Sequence, residues 1–240
     1  MHTIMTKDKA KVVVSLSGGM DSAVCAALAV RDYRAEDVAA LHISYGQRTE
    51  AREQTSFLRI CEALGIHRRL MVKTPFFRAI GGSALTDEQI DVPEAEALIG
   101  ATIPVTYVPF RNAHFLSAAV SWAEVLGAER IYIGAVQQDS SGYPDCRPEF
   151  YEAFNQTIRA GTKEGRIQIE TPLIALRKHQ IVTCGLELGA PFHLTWSCYR
   201  REDQACGSCD SCVLRLRAFA SADAVDPISY LSQPAVRDFS

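Results

Sequence analysis

The chain has 240 residues, of which 48% are hydrophobic and 22% are charged, and its formal net charge at pH 7 is −3. This composition is typical of a globular protein with one sizeable core, and the small negative charge gives no reason to expect nucleic acid as a partner. No apolar run is long enough to span a bilayer, and the polar residues 1–11 lack the pattern of a secretory signal. We therefore expect a cytoplasmic protein with no membrane partner.

The first predicted strand covers Val12-Val13-Val14 and leads into the loop Ser17-Gly18-Gly19-Met20-Asp21-Ser22. An alanine-rich stretch then predicts a helix over 22–33. This order can cradle a phosphate, because glycines let backbone N–H groups approach the anion and a helix N-terminus attracts negative charge. The loop lacks the lysine of a Gly-Lys-Ser/Thr P-loop and does not match Gly-x-Gly-x-x-Gly. An ordinary turn built of small residues is the alternative interpretation.

Predicted strands and helices alternate from this loop to about residue 190. The strands are predicted at 38–44, 68–73, 105–108, 130–134 and 167–169, and the helices at 50–64, 113–126, 149–160 and 178–188. This alternation favours a parallel sheet with helices on both faces and with ligands beyond the carboxyl ends of the strands. The segment 74–103 has many turn signals and predicts a flexible flap beside the site. His42 and Cys25 are expected to be packed core residues.

Polar residues follow several predicted strands. One such exit is Tyr45-Gly46-Gln47-Arg48, another is Arg111-Asn112, and a third runs from 139 to 147. An arginine can hold an anion, a carboxylate can accept hydrogen bonds from an amidine-like base edge or bind Mg²⁺, and a tyrosine can stack on a heterocycle. The alternatives are a plain helix cap at Arg111-Asn112 and a solvated turn at 139–147. The candidate substrate-binding residues are Arg111, Asn112, Asp139, Tyr143, Asp145 and Arg147.

Four of the eight cysteines lie close together near the C-terminus, at Cys198, Cys206, Cys209 and Cys212. In a cytosolic chain such a cluster indicates a metal before disulfides. Four thiolates favour a closed, structural Zn²⁺ site. Binding of Zn²⁺ would then be coupled to folding of the C-terminal segment. A redox or persulfide pair and an iron–sulfur cluster are the alternatives. A helix is predicted after the cluster, over 213–219.

The loop pattern Ser-Gly-Gly-x-Asp-Ser resembles the pyrophosphate loop of the ATP-pyrophosphatase (PP-loop) superfamily, whose members split ATP between the α and β phosphates. A closer resemblance, to the 7-cyano-7-deazaguanine synthase family, spans nearly the whole chain. It is carried by the stretches 16–22, 45–48, 108–112, 139–147, 171–173, 196–199 and 206–212. Ser-Gly-Tyr-Pro-Asp-Cys-Arg and the cysteine spacing are its most specific parts. Phe110 departs from the pattern, since many relatives have glycine there.

The resemblance implies a ligase of queuosine biosynthesis that converts 7-carboxy-7-deazaguanine and ammonia into 7-cyano-7-deazaguanine (preQ0). ATP would activate first the acid and then the amide as adenylates, and Mg²⁺ would offset the charge of the leaving pyrophosphate. Ser17, Asp21 and Ser22 are the expected catalytic residues. The expected ATP-binding residues are Leu16, Ser17, Gly18, Gly19, Met20, Asp21, Ser22, Ala23, Val24, Cys25 and Ala26.

The resemblance further implies a homodimer and one structural zinc ion per chain at the four cysteines. Arg111 or Arg147 would bind the substrate carboxylate, and Asp139 or Asp145 would bind its guanine-like edge. The expected fold is α/β, a Rossmann-like parallel sheet of PP-loop type over 1–190. A small C-terminal zinc-binding segment is expected over 191–240.

Three other functions fit parts of the pattern. A tRNA sulfurtransferase would pass a persulfide through the C-terminal cysteines, and it predicts a basic surface or an RNA-binding domain. An ammonia ligase could act on a nucleotide or an NAD precursor instead. A zinc-knuckle binding module without catalysis is the third alternative, and the intact Ser-Gly-Gly-x-Asp-Ser loop argues against it.

Overall fold

The computed structural model describes residues 9–95, 103–137 and 142–232 of the chain. Within these residues the sheet has five parallel strands, namely β1 (Val12–Ser15), β2 (Val38–Ser44), β3 (Arg68–Lys73), β4 (Arg130–Ile133) and β5 (Gln168–Glu170). Their order across the sheet is β3-β2-β1-β4-β5. Because the winding direction reverses between β1 and β4, a crevice is expected beyond the carboxyl ends of these two strands.

Helices alternate with the strands and continue beyond them. They are α1 (Met20–Tyr33), α2 (Glu50–Ala63), α3 (Phe76–Ile80), α4 (Arg111–Leu126), α5 (Pro148–Gly161), α6 (Lys178–Glu187) and α7 (Asp210–Ser221). Apart from the short α3, each was predicted, with ends that differ by at most three residues. No helix among the described residues is both long and apolar enough to cross a membrane.

The two faces of the sheet are covered by different helices. Val12 and Val14 pack in one core cluster with residues of α1, α2, α6 and α7, whereas Val13 packs in a second cluster with α4 and α5. All seven residues of β2 are buried, as expected for a strand covered on both faces. The predicted fold class, a Rossmann-like parallel sheet between two helical layers, is confirmed.

His42 and Cys25 are core residues, as predicted, and both are buried. The His42 Nδ1 donates a hydrogen bond to the Leu16 carbonyl at 3.1 Å, and its ring centroid lies 5.1 Å from that of Phe57. Burial lowers the pKa of His42 and so favours the neutral ring. This imidazole therefore holds the end of β1 against β2.

The strand predicted over 105–108 is wrong. The segment makes a turn in which the Tyr107 N–H donates to the Pro104 carbonyl at 2.9 Å, and it leads directly into α4. Pro104 and Pro109 lack the N–H donors that a central strand needs and restrict the backbone beside them. Val108 is buried in a core cluster around the cysteines instead of in the sheet.

The described part of the predicted flap, 74–95, packs against the rest of the protein, and its flexibility stays a prediction. The Arg48 guanidinium donates hydrogen bonds to three backbone carbonyls of this segment at 2.7–3.0 Å. Arg200 donates two more, to a fourth carbonyl. The remaining part of the prediction, at 96–102, lies outside the described residues.

The C-terminal segment packs on both the helical layer and the rim of the sheet. α7 lies against α6, and the third core cluster joins the four cysteines to Tyr45, Val108 and Tyr230. This cluster draws residues from both sides of the predicted boundary at 190. The division into 1–190 and 191–240 stays a prediction.

A buried ion pair holds the end of this segment. Arg215 is only 2% exposed, and its guanidinium binds the Asp226 carboxylate through two hydrogen bonds, at 2.7 and 2.9 Å. Its other donors reach the Thr195 hydroxyl at 2.6 Å and the Phe192 carbonyl at 3.2 Å. The Tyr230 hydroxyl also donates to Asp226 at 2.6 Å. A buried charge pair is stable only with such complete hydrogen bonding.

We predict that Asp226→Ala lowers the free energy of unfolding by about 3–5 kcal/mol, because it leaves the buried guanidinium without a counter-charge. The double variant Asp226→Ala/Arg215→Leu is expected to lose less, since no unpaired charge then remains. Urea unfolding followed by circular dichroism measures both values. A loss below about 1 kcal/mol for the single variant, the size of an ordinary surface substitution, would contradict this account.

Candidate functional site

A cavity of about 270 Å³ opens at the carboxyl ends of β1 and β4, where the strand order reverses. Its wall is formed by the loop after β1, the exit of β4, the starts of α4 and α6, and the C-terminal segment. This is the position that the alternating pattern predicts for a ligand, and the volume suits a small-molecule site.

The loop after β1 lies directly on α2. Gly18 has a φ of +96°, and a Cβ there would lie 2.7 Å from the Glu53 carbonyl oxygen, so a side chain would push the two apart. The Ser17 Oγ accepts from the Gly19 N–H at 3.2 Å and lies 3.0 Å from the Ser22 Oγ. Two hydroxyls therefore meet at the N-terminus of α1, an arrangement suited to a phosphate oxygen.

Lys178, the first residue of α6, forms an ion pair with Asp21 at the cavity wall. The other carboxylate oxygen of Asp21, Oδ1, is buried and has no hydrogen-bond partner among the residues that the structure describes. Lys178 brings to the loop the positive charge that its own sequence lacks. We did not predict this lysine, because it lies 157 residues further along the chain.

The predicted ATP-binding residues divide into two groups. Those that line the cavity are Leu16, Ser17, Gly19, Met20, Asp21 and Ser22. Gly18 lies behind them against α2. The side chains of the next turn pack in the core between α1 and the sheet, which gives no support to an ATP contact for Ala23, Val24, Cys25 and Ala26.

Arg111, the first residue of α4, lines the cavity, and only some of the donors of its guanidinium form hydrogen bonds with described residues. Its Nη1 donates to the Tyr45 hydroxyl at 3.0 Å, and its Cζ lies 5.0 Å from the Tyr45 ring centroid and 5.5 Å from that of Phe115. The Arg111 Nε is buried, and no described residue forms a hydrogen bond with it. A positive charge held between aromatic rings, with a donor to spare, suits a carboxylate or a phosphate.

Asp145 supports the start of α4 instead of lining the cavity. Its carboxylate accepts the backbone N–H of Asn112 at 3.0 Å, and its carbonyl accepts the Asn112 side-chain amide at 3.0 Å. Burial raises the pKa of Asp145, and the Asn112 N–H opposes that shift. Asn112, Tyr143 and Cys146 do line the cavity. The predicted contact between Asp145 and substrate is therefore not supported by its position.

Of the two other predicted substrate residues, one lies away from the described cavity lining and the other cannot be placed against it. Arg147 is exposed, precedes α5 and is absent from the described lining, so a substrate contact for it is not supported. Asp139 lies outside the described residues.

Phe110, not Asn112, is the residue that precedes α4, and it has a left-handed φ of +57°. The cap alternative for Asn112 is thus wrong.

Glu53 lines the cavity, although we did not predict it as a site residue. Its Oε1 accepts from the Thr49 hydroxyl and its Oε2 from the Gln47 Nε2, both at 2.8 Å. The Gln47 amide is oriented, because its Oε1 accepts the Tyr45 N–H at 2.9 Å. Burial raises the pKa of Glu53 to about 7, against the opposing effects of both hydrogen bonds and of Arg111. Glu53 therefore titrates near neutral pH.

The C-terminal segment completes the wall of the cavity, which we also did not predict. The backbone N–H of Trp196 donates to the Gly18 carbonyl at 2.8 Å and so joins this segment to the phosphate loop. The described lining residues from this part of the chain are Trp196, Ser197, Tyr199, Ser211, Leu214 and Arg215. The cysteine pattern predicts a metal site for this region and gives no sign that the region also lines the cavity.

The four cysteine Sγ atoms lie within 4.8 Å of one another, and all four residues are buried. The Cys206–Cys212 sulfur distance is 3.8 Å, close to the edge of about 3.8 Å in a tetrahedron with metal–sulfur bonds of about 2.3 Å. The Cys198 Sγ accepts the N–H of Arg200 and of Cys206, and the Cys206 Sγ accepts that of Cys209, at 3.3–3.4 Å. Hydrogen bonds from neighbouring thiols lower the pKa of Cys198. The cluster can bind a metal.

Comparison with known proteins identifies the family of the chain. Residues 11–223 match the family described as queuosine biosynthesis protein QueC. The 7-cyano-7-deazaguanine synthase of Koribacter versatilis is 71% identical over 231 residues, which cover 96% of this chain and 98% of that protein. The enzyme of that name from Acidobacterium capsulatum is 67% identical over 229 residues, with 94% and 99% covered.

A more distant likeness is found among solved structures. The NH3-dependent NAD synthetase from Campylobacter jejuni, in complex with the nitrate ion, is 17% identical, and the match covers 80% of this chain and 68% of that chain with a TM-score of 0.45. The family match and the two high-identity relatives carry the assignment. By these two findings, the chain belongs to the QueC family of 7-cyano-7-deazaguanine synthases.

Proposed function

We propose that this chain converts 7-carboxy-7-deazaguanine, ammonia and ATP into 7-cyano-7-deazaguanine, AMP and pyrophosphate. The observation that carries the proposal is one cavity whose lining includes two groups suited to bind anions, in a chain 71% identical to a protein named for this product. One anion site is the loop at 17–22, and the other is the Arg111 guanidinium. A nucleotide phosphate and a substrate carboxylate need such a pair.

The chemistry requires ATP because a carboxylate oxygen is a poor leaving group. Transfer of the AMP group from ATP converts the acid into an acyl adenylate, and ammonia displaces AMP to give the amide. A second transfer, to the amide oxygen, lets AMP leave again, and the nitrile remains. Each transfer releases pyrophosphate, whose developing charge has to be stabilised.

The loop after β1 is suited to hold that pyrophosphate. We assign phosphate contacts to the Ser17 and Ser22 hydroxyls, with Lys178 as the nearby positive charge. The unpartnered Oδ1 of Asp21 is the ligand that this loop offers to Mg²⁺. Bound Mg²⁺ would offset the negative charge on the phosphate oxygens.

The substrate carboxylate is assigned to Arg111. Its unused Nε and its place between Tyr45 and Phe115 support this role. Tyr143 lines the same cavity, and its ring is suited to contact the deazaguanine heterocycle. Asn112, fixed by Asp145, holds the start of α4 and thereby orients Arg111.

Incubation with 7-carboxy-7-deazaguanine, ammonium, Mg²⁺ and ATP, analysed by mass spectrometry, tests the proposal. We expect the nitrile together with two AMP and two pyrophosphate for each nitrile formed. ADP and inorganic phosphate as products would contradict activation by AMP transfer. Absence of any product from a zinc-loaded protein would contradict the substrate assignment and favour the sulfurtransferase alternative.

Two arginines provide a matched pair of variants in the same assay. Arg111→Ala is expected to raise the KM for the acid about 10- to 100-fold, because a charge-assisted hydrogen bond contributes about 1.5–3 kcal/mol. Arg147→Ala, which removes an exposed arginine outside the described cavity lining, is expected to leave KM unchanged. Equal effects of the two substitutions would remove Arg111 from the substrate site.

We further propose that the metal at Cys198, Cys206, Cys209 and Cys212 is a structural zinc ion. The support is the all-sulfur donor set, which leaves no open position for a reacting water. None of the four cysteines belongs to the described lining of the cavity. Zinc would supply folding energy to the segment that carries Trp196 and Arg215.

We predict one zinc per chain by elemental analysis, and a lower melting temperature after removal of the metal with a chelator. Cys209→Ser should lose zinc and stability, because three thiolates no longer close the site. Cys184→Ser, at a half-buried cysteine outside the cluster, is the control and should keep both. Iron with sulfide in the purified protein would identify an iron–sulfur cluster instead.

We also propose a homodimer. An exposed apolar patch supports it, formed by Phe76, Ile80 and Phe110, which are 40%, 63% and 58% exposed. The His114 ring lies between Phe76 and Phe110, with ring centroids 5.1 and 6.4 Å away. Patches of this kind are typical of protein interfaces. Sedimentation should give twice the chain mass, and a monomer that stays active would contradict the proposal.

A further inference from the structure

The proposed reaction removes every proton from the nitrogen that it incorporates. Ammonium has four N–H bonds and the nitrile nitrogen has none. One proton leaves when ammonium becomes a nucleophile, one when the amide forms, and two when the amide is dehydrated. The carbon–oxygen bonds to the two AMP groups break, carbon–nitrogen bonds form, and no electrons are exchanged with another compound. A proton acceptor is therefore needed beside the reacting carbon.

Two carboxylates line the described part of the cavity, Asp21 and Glu53. Asp21 already pairs with the Lys178 ammonium through one carboxylate oxygen, and the proposed function assigns its other oxygen to Mg²⁺. Glu53 forms no ion pair within the described structure, and the side chains that donate hydrogen bonds to it there, Gln47 and Thr49, are both neutral. Each of its oxygens accepts one such bond and has capacity for another.

Glu53 also lies between the two proposed anion sites. Its own backbone carbonyl packs on Gly18 of the phosphate loop, where a Cβ would come within 2.7 Å. Its carboxylate is close enough to the Arg111 guanidinium for a direct electrostatic interaction. An acyl adenylate with its phosphate at the loop and its acyl group near Arg111 would therefore present the reacting carbon beside Glu53.

We propose that the Glu53 carboxylate binds the incoming ammonium and takes the protons that its nitrogen loses on the way to the nitrile. The inference rests on the proposed function and deepens it. Glu53 attracts the cation by charge, accepts its proton and passes that proton to solvent through the open cavity. Gln47 and Thr49 position the carboxylate and leave its remaining lone pairs for the ligand.

The electrostatic surroundings of Glu53 agree with this role. Burial raises the pKa of Glu53 to about 7, the Arg111 guanidinium opposes the shift, and Glu50 on the same helix adds to it. The Tyr45 phenol, whose own pKa is raised by burial, is the other titratable neighbour. A base with a pKa near the working pH combines a large ionised fraction with good proton affinity.

The decisive variant is Glu53→Gln, which keeps the shape and removes the base. We expect acid-dependent exchange of pyrophosphate into ATP to persist near the wild-type rate, because adenylation needs no base on nitrogen. Amide formation from ammonium should fall by about 10²- to 10⁴-fold, the usual contribution of a general base. Glu62→Gln, on an exposed position of the same helix, is the control and should change neither rate.

Hydroxylamine separates a lost base from a damaged site, because it is uncharged at neutral pH and attacks without prior deprotonation. Glu53→Gln should therefore form the hydroxamate much faster than the amide. A variant that loses exchange, hydroxamate and amide together, or raises the KM for the acid, would overturn the proposal and assign Glu53 to structure or to the substrate ring. Absence of acid-dependent exchange in the wild type would instead contradict the proposed function itself.

A measurement on the wild-type enzyme needs no variant. At constant total ammonium, the amination rate should rise with pH and level off above about 7, as Glu53 loses its proton. The sign follows from the ionised carboxylate being the active form. A rate that stays proportional to free ammonia, with no plateau above that pH, would contradict proton transfer to Glu53.

Discussion

The close contact of Gly18 with its neighbours determines the geometry of the whole site. Its carbonyl accepts a hydrogen bond from the backbone N–H of Trp196 at 2.8 Å. A Cβ on Gly18 would lie only 2.7 Å from the Glu53 carbonyl oxygen. One residue thus connects the phosphate loop, α2 and the C-terminal segment. Gly134 is a second such position, since a Cβ there would lie 2.8 Å from the Asp21 carbonyl oxygen, and its absence lets the exit of β4 lie against the start of α1. The cavity exists because no side chain separates these backbones.

The C-terminal segment therefore has two roles, because it carries the cysteine cluster and also forms one wall of the cavity. The cysteine cluster and the Arg215–Asp226 ion pair stabilise it from within, and α7 fixes it against α6. Its outer residues then form one wall of the cavity. In the proposed enzyme a structural metal would act on catalysis indirectly, because the position of Trp196 against the phosphate loop depends on the folded segment.

The sequence predicts those parts of the site that lie in short, local patterns. The loop at 17–22 and the four cysteines fall in this class, and so do the parallel sheet and its order of strands and helices. The strand over 105–108 fails because a short apolar run between prolines has no periodicity to distinguish a strand from a buried turn.

Lys178 and Glu53 belong to another class, because tertiary packing alone brings them to the cavity. The same holds for Asp145, whose carboxylate was expected at the substrate and instead binds the Asn112 N–H. One sequence feature could have indicated Glu53, namely the polar stretch Tyr45-Gly46-Gln47-Arg48, which follows β2 and directly precedes the helix that carries Glu53. Gln47 and Thr49 point their donors at the glutamate, yet only the structure shows that they do.

Activation of a carboxylate by two successive AMP transfers is the central claim. It is tested most directly with 7-carboxy-7-deazaguanine labelled with ¹⁸O in both carboxylate oxygens. The account predicts one ¹⁸O in each of the two AMP molecules released per nitrile and none in pyrophosphate. Label in inorganic phosphate, or AMP without label, would contradict it.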